Sequence, residues 1–132
     1  MIVSTIIPYF KDPINIEYAI KSVLAQTYKK LEIIIVDDEN SINSKKILKK
    51  LERKYKNIKI ISSLKRSGVS RARNLAIKKA RGDLVAFLDS DDLWKKDKIK
   101  EQVVKLKDNK ADICYTNYVA ISESKKVLYK VK

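Results

Sequence analysis

Four short apolar runs, rich in β-branched residues, recur along this chain, and each is followed by a segment whose apolar residues fall three and four apart. The first run, Ile2 to Pro8, reads as a buried strand stopped by proline. Beyond it Ile16, Ala19, Ile20, Val23 and Leu24 make one apolar helix face that ends near Gln26. Leu31 to Val36 is a second strand, and a helix follows with Asn43 or Ser44 as its expected N-cap and Ile47, Leu48, Leu51 and Tyr55 on one face. Ile58 to Ile61 is a third strand. Gly68 precedes a third helix with Val69, Ala72, Ala76 and Ala80 inward, and Gly82 is expected to end it. Leu84 to Leu88 is a fourth strand, followed by a helix that turns Ile99, Val103 and Leu106 inward. A strict β-α alternation of this kind needs long crossovers, so it predicts an α/β fold with a mainly parallel sheet and helices on both faces.

The tail reads as a strand at Ile113 to Ala120, a polar turn at Ser122 to Lys125 and a short strand at Val127 to Tyr129. With no internal repeat or linker, residues 1–132 are expected to form a single domain. One cysteine and no histidine exclude an internal disulfide and the usual zinc site, which leaves only a hard cation on oxygen ligands. Cys114, inside a predicted strand and with no histidine to activate it, reads as a small buried hydrophobe. The start lacks the basic segment of a signal peptide, and no apolar run approaches the roughly 20 residues that span a bilayer, so a cytoplasmic protein is expected. The net charge of +14 favours anionic partners, although lysine-rich composition alone would produce it as well.

In open parallel α/β sheets, ligands bind beyond the carboxyl ends of the strands, near a switch in strand order. Two acidic clusters fall at such ends: Asp37-Asp38-Glu39 after the second strand and Asp89-Ser90-Asp91-Asp92 after the fourth. Two carboxylates about 5 Å apart repel by about 3 kcal/mol at an effective dielectric near 20, so such a cluster suggests a bound cation. Magnesium or manganese takes one or two carboxylates and completes its shell with phosphate oxygens and water. The same residues would also serve as helix or turn caps. The segment from Lys65 to Asn74 opens a helix and holds Arg66, Arg71 and Arg73, an arrangement suited to a diphosphate or, equally, an exposed basic face. Trp94 either covers the acidic loop or packs in the core, and Tyr9 and Phe10 either flank a base or pack.

Four segments in order, VSTIIPYF, SVLAQTYKKLEIIIVDD, GVSRARN and GDLVAFLDSDDLW, resemble the inverting glycosyltransferases of family 2, with their Rossmann-like GT-A fold. The resemblance runs to about Tyr115 and implies a nucleotide-sugar donor, usually linked to UDP, with Mn2+ or Mg2+. It implies that Pro8 and Tyr9 lie against the nucleoside and that Asp38, with Asp37 beside it, reads the uracil edge. Asp91 matches the last acid of the DxD motif, which coordinates the metal. Asp89 matches the first, near the ribose and the metal shell, and Gly68 and Arg73 border the nucleotide. The implied acceptor is a glycan or lipid-linked, as in cell-surface polysaccharide synthesis. A further implied contact is peripheral, between the lysines and an anionic inner membrane face.

This chain departs from the family pattern where VDDGS is usual and Val36 to Asn40 stand instead, and where Lys11 and Arg66 replace asparagines. Family members continue into an acceptor-binding half that carries the general base. By this resemblance the chain is the C-terminally truncated, nucleotide-binding portion, with the base expected beyond residue 132. Two alternatives are a non-catalytic nucleotide-binding module and a magnesium-binding receiver domain. The receiver would need a Lys-Pro near its last strand, and the only prolines are Pro8 and Pro13. A specific nucleic-acid binder has no recognised motif here.

Overall fold

The structure is a computed structural model that describes residues 1–124 and 126–131. It falls into two units, Met1–Lys98 and Ile99–Lys132. In the first, β1 (Val3–Tyr9), α1 (Ile16–Leu24), β2 (Leu31–Asp37), α2 (Ile42–Lys54), β3 (Ile58–Ser62), α3 (Val69–Ile77) and β4 (Leu84–Phe87) alternate as the hydrophobic pattern predicts. The four strands are all parallel, in the order β3-β2-β1-β4.

That order decides where the helices lie. From β1 through β3 the chain winds one way across the sheet, then α3 carries it back past β1 to β4. Right-handed crossovers put helices on opposite faces when the winding direction reverses. Accordingly Ile7, Tyr9, Ile33 and Ile35 pack with Ile16, Ala19, Ile20 and Val23 of α1 and Leu48 and Leu51 of α2. The intervening strand residues Ile6, Ile34 and Val36 face the other way, onto Ala72 and Ala76 of α3. Both faces of β1 and β2 are therefore buried, which is why these strands read as continuous apolar runs. Outside the core, Lys54 and the Tyr55 hydroxyl both donate to Glu17 and hold its carboxyl down to about 2, tying α2 to α1.

Three local expectations need correction. The N-cap of α2 is Ser41, whose Oγ accepts from the Ser44 amide at 2.9 Å while Ser44 Oγ accepts from the Ser41 amide at 3.0 Å. Ser44 is thus the third residue of a capping box, a role in which a second serine replaces the usual Glu or Gln. Val69, expected to face inward, stands half-exposed beside Gly68 at the start of α3, because the buried face of that helix is set by Ala72 and Ala76. Gly82 does not end α3, which stops at Ile77 with Lys78 as its C-cap. It sits instead against the amino end of β1, where its amide donates to Ser4 Oγ at 2.9 Å. The turn without a family-type glycine is made by Asn40 at φ +52°, a left-handed conformation that asparagine tolerates.

The second unit begins in α4 (Lys98–Asp108) and ends in an antiparallel hairpin of β5 (Tyr118–Ile121) and β6 (Val127–Val131). The expected strand from Ile113 is thus confined to its last part, since β6 offers partners only from Tyr118 onward. Cys114 lies outside any strand and is half-buried, not a core residue, and its carbonyl accepts from Gln102 Nε2 at 2.8 Å. Of the predicted polar turn, Lys125 lies outside the described residues, while the Ser122 amide donates to the Lys126 carbonyl at 2.8 Å. Among the described residues no helix is long and apolar enough to cross a membrane.

Candidate functional site

The register places Tyr9, Asp37 and Ser62 side by side, so the loops after β1, β2 and β3 leave the sheet at one level. The switch in strand order falls between β1 and β4, and a cleft opens at the carboxyl ends of these two strands. Pro8, Tyr9 and Phe10 line it at the end of β1, Asp38 just after β2, Val69 at the start of α3, and Asp89, Ser90 and Asp91 beyond β4. This is where an open α/β sheet binds its ligand. Of the residues predicted from sequence, the cleft gathers Pro8, Tyr9, Asp38, Asp89 and Asp91; Asp37, Gly68 and Arg73 do not line it, though Gly68 bonds Asp38 and Arg73 bonds Asp89.

Asp38 is almost fully buried. Its Oδ1 accepts from Ser63 Oγ at 3.0 Å and from the Ser67 amide and hydroxyl at 2.8 and 2.7 Å, and its Oδ2 accepts from the Gly68 amide at 2.8 Å. Burial pushes this carboxyl up, but the bonds from Ser67, Gly68 and Ser63 outweigh it and hold it below the usual range. Asp37, fully buried, caps the following turn: its oxygens accept from the Asn40 amide at 2.9 Å and Ser44 Oγ at 2.8 Å. Burial raises the Tyr9 phenol, as do the charges of Glu39, Asp37 and Asp12, so it stays protonated in the cleft wall.

The acidic loop is less enclosed. Asp89 pairs with Arg73 at 2.6 Å, and the guanidinium of Arg73 also lies over the Phe87 ring at 5.4 Å. Partial desolvation and the charges of Asp91 and Asp89 push the Asp92 carboxyl up, although the residue stands at the surface. Asp89 and Asp91 line the cleft together, and carboxylate oxygens are the ligands that a hard divalent cation takes. Among the described residues no three acidic or thiol groups converge as a complete cage. A cation here would therefore rest on one or two carboxylates and on oxygens of a bound ligand.

Sequence reading missed the residues that hold this loop, because their partners are far away in the chain. Asp12 Oδ2 accepts from Ser90 Oγ at 2.8 Å, joining the two walls of the cleft across 78 positions. On the downstream side the buried Gln26 donates from Nε2 to the Lys95 carbonyl at 2.8 Å, and the Trp94 amide donates to Ser22 Oγ at 3.2 Å. Trp94 itself packs against the core and does not line the cleft. The two cations at unusual positions share one ring: the Arg66 guanidinium lies 4.1 Å and the Lys11 ammonium 5.5 Å from the centroid of Phe10. Replacing Asp12 by alanine is expected to speed hydrogen exchange of the Asp92 amide, which bonds the Asp89 carbonyl, by about fivefold, equivalent to ~1 kcal/mol for one net hydrogen bond. Exchange measured by NMR, with the β1 amides as internal reference, checks this.

The family model for glycosyl transferase family 2 matches residues 4–132. An Escherichia coli protein named UDP-Glc:alpha-D-GlcNAc-diphosphoundecaprenol beta-1,3-glucosyltransferase WfgD is 37% identical over 123 residues, covering 93% of this chain and 48% of its own. The chain thus spans about half the length of this relative. In structure it is similar to S. aureus TarS 1-349 in complex with UDP-GlcNAc, with TM-score 0.75, 29% identity, and coverage of 85% of this chain and 33% of that one. The mannosyltransferase PcManGT from Pyrobaculum calidifontis, in complex with GDP-Man and Mn2+, aligns with TM-score 0.72 and 25% identity over 79% of this chain and 32% of its own.

Proposed function

Because the chain belongs to glycosyltransferase family 2, we propose that residues 1–132 act as the donor-binding portion of a transferase that moves a sugar from UDP, or another nucleotide, to a glycan or lipid-linked acceptor. The observation that carries this reading is the cleft at the switch between β1 and β4, which combines an aromatic wall, a buried carboxylate and an open acidic loop. Pro8, Tyr9 and Phe10 would flank the nucleoside. Asp38 Oδ2, which takes one hydrogen bond where Oδ1 takes three, keeps the capacity to accept from an N–H on the base edge. Asp37 would support it by fixing the turn. Gly68 and Arg73 would border the diphosphate, with Arg73 also setting the position of Asp89.

Asp91 and Asp89 would hold Mn2+ or Mg2+, and such a cation, when bound, neutralises charge on the departing nucleoside diphosphate. The acceptor hydroxyl would attack the anomeric carbon from the face opposite the nucleotide. Arg73 and the Asp12–Ser90 bond would keep the acidic loop fixed, so that little reorganisation is needed in the transition state. This reading makes the protein cytoplasmic, with peripheral contact at an anionic inner membrane face through its lysines.

Calorimetric titration with UDP and manganese tests the donor site. Binding is expected to require the metal, to vanish with EDTA, and to weaken at least about 100-fold in Asp91→Ala, beyond the roughly 10–100-fold of residues that merely support a ligand. Binding that ignores EDTA and the substitution, or no binding at all, overturns the assignment.

A further inference from the structure

In the first unit, only three large apolar side chains are more than half exposed: Ile14 at 74%, Ile42 at 90% and Leu64 at 100%. Ile14 and Leu64 lie in the connections that leave the carboxyl ends of β1 and β3, and Ile42 opens α2 just after the connection from β2, at the edge of the sheet where the cleft opens. The opposite edge carries no such residue among those described. Isolated exposed aliphatics need no explanation, but their confinement to one edge does.

The segments that carry these tips are neighbours. The Leu64 carbonyl accepts from Asn40 Nδ2 at 3.4 Å, two positions before Ile42. The Lys11 amide donates to Glu39 at 3.2 Å, and Arg66 lies on Phe10, so the three connections touch in sequence around the edge. Exposed cations stand among them: Lys11, Lys65 and Arg66 in the loops and Lys45 in the first turn of α2. The acids beside these tips are taken up: Glu39 accepts from Ser41 Oγ and the Lys11 amide, and Asp12 accepts from Asn15 and from Ser90 Oγ. The open carboxylates Asp89, Asp91 and Asp92 follow β4, on the far side of β1 from Ile42 and Leu64. Aliphatic tips ringed by cations match the layered chemistry of an anionic bilayer, with an acyl boundary beneath acidic headgroups.

We propose that the loops carrying Ile14, Ile42 and Leu64 dock this protein on an anionic membrane, with the cleft facing the bilayer. This rests on the reading of the acceptor as lipid-linked and adds the surface and the orientation. A lipid-linked acceptor held at that boundary would reach the cleft without leaving the membrane. The occupant is a bilayer and not a second copy, because the cations around Ile42 and Leu64 would repel their counterparts in a second copy.

Flotation with phosphatidylcholine vesicles, with and without phosphatidylglycerol, at physiological ionic strength tests the proposal. The protein is expected to bind the anionic vesicles, and Ile42→Ser/Leu64→Ser, with unchanged charge, to bind about tenfold less, as expected for losing exposed aliphatic insertion. Lys45→Gln/Lys65→Gln should weaken binding to anionic vesicles while leaving the melting temperature unchanged. No vesicle binding, or serine variants that bind like the parent, overturns the surface. So does a lipid-free dimer that the serine variant dissociates, which would assign the tips to a second copy. UDP titration of the serine variant is expected to be unchanged. Vesicle binding without metal-dependent UDP binding would reject the donor reading and leave the docking surface standing.

Discussion

Asp38→Ala is expected to cost about 3 kcal/mol of stability and to remove measurable nucleotide binding. The carboxylate receives four hydrogen bonds, from Ser63, Ser67 and Gly68, inside a site that is almost closed to water. Each buried donor left without a partner costs about 1–3 kcal/mol. The hydroxyls can rotate to other acceptors and Gly68 is exposed enough to be hydrated, so the expected sum lies well below four full penalties. Functionally the loss is larger, since the same bonds fix the loop that starts α3 beside the cleft. Asp38→Asn separates shape from charge: its amide can keep only part of the set, because an N–H2 group faces donors on one side. The pH dependence follows from the direction of the shift. The folded carboxyl is held below its unfolded value, so its contribution is complete above about pH 4, the unfolded carboxylate value, and is lost as pH falls through the lower folded one. Urea unfolding at neutral pH should show the full deficit of Asp38→Asn, and titration into acid should shrink it. A deficit that persists unchanged in acid would show that shape, not charge, holds the loop.

How much of this was legible beforehand depends on the range of each interaction. The β-α alternation, the packing of Ile16, Ala19, Ile20 and Val23, and the acidic clusters at strand ends are local patterns, and the structure places them as read. The placement of α3 on the face opposite α1 and α2 was not legible, because it follows from where β4 joins the sheet, and no residue announces that. Gln26 shows the same limit. It sits in a segment that resembles the family, yet its buried amide matters only because the Lys95 carbonyl arrives 69 positions later to accept from it. Asp12 Oδ1 makes a local bond with the Asn15 amide at 3.3 Å, while its second oxygen reaches Ser90, a partner that nothing local announces. The Ser41 cap was passed over for its neighbours because Asn43 and Ser44 are equally good capping types, and only backbone geometry separates them. Arg66 and Lys11 were visible as departures from a family pattern, but that both converge on Phe10 was not.

The two glycines of the chain make the sharpest contrast in what a single methyl group should do. Gly68 stands at φ +83°, ψ 161°, a region nearly closed to other residues, but an added Cβ would meet nothing within 4 Å. Gly68→Ala is therefore a backbone effect of about 1–3 kcal/mol. Gly82 is the reverse. A Cβ there would lie 2.5 Å from Ser4 Oγ, 2.7 Å from the Ser4 amide nitrogen and 2.8 Å from the Ile2 carbonyl. The first of these can swing away, but the other two are backbone of the strand at the centre of the sheet. Relief requires moving the connection between α3 and β4 off β1. That would break the bond from the Gly82 amide to Ser4, the one from the Arg81 amide to Glu32 at 2.7 Å, and the one from the Leu84 amide to Ile2 at 3.2 Å. Overpacking costs about 1–3 kcal/mol, and each lost bond adds about 0.5–1.5, so Gly82→Ala is expected to lose about 4 kcal/mol. For a domain of this size that is a large share of the usual 5–15 kcal/mol. Because β4 leads directly into the acidic loop, the variant should lose manganese-dependent nucleotide binding along with its stability. Gly68→Ala should retain most of its stability and lose binding chiefly through the displaced amide beside Asp38. Urea midpoints and UDP titrations on the two variants check both halves. Equal losses of stability would mean that the sheet edge at Gly82 yields more easily than backbone contacts under 3 Å allow.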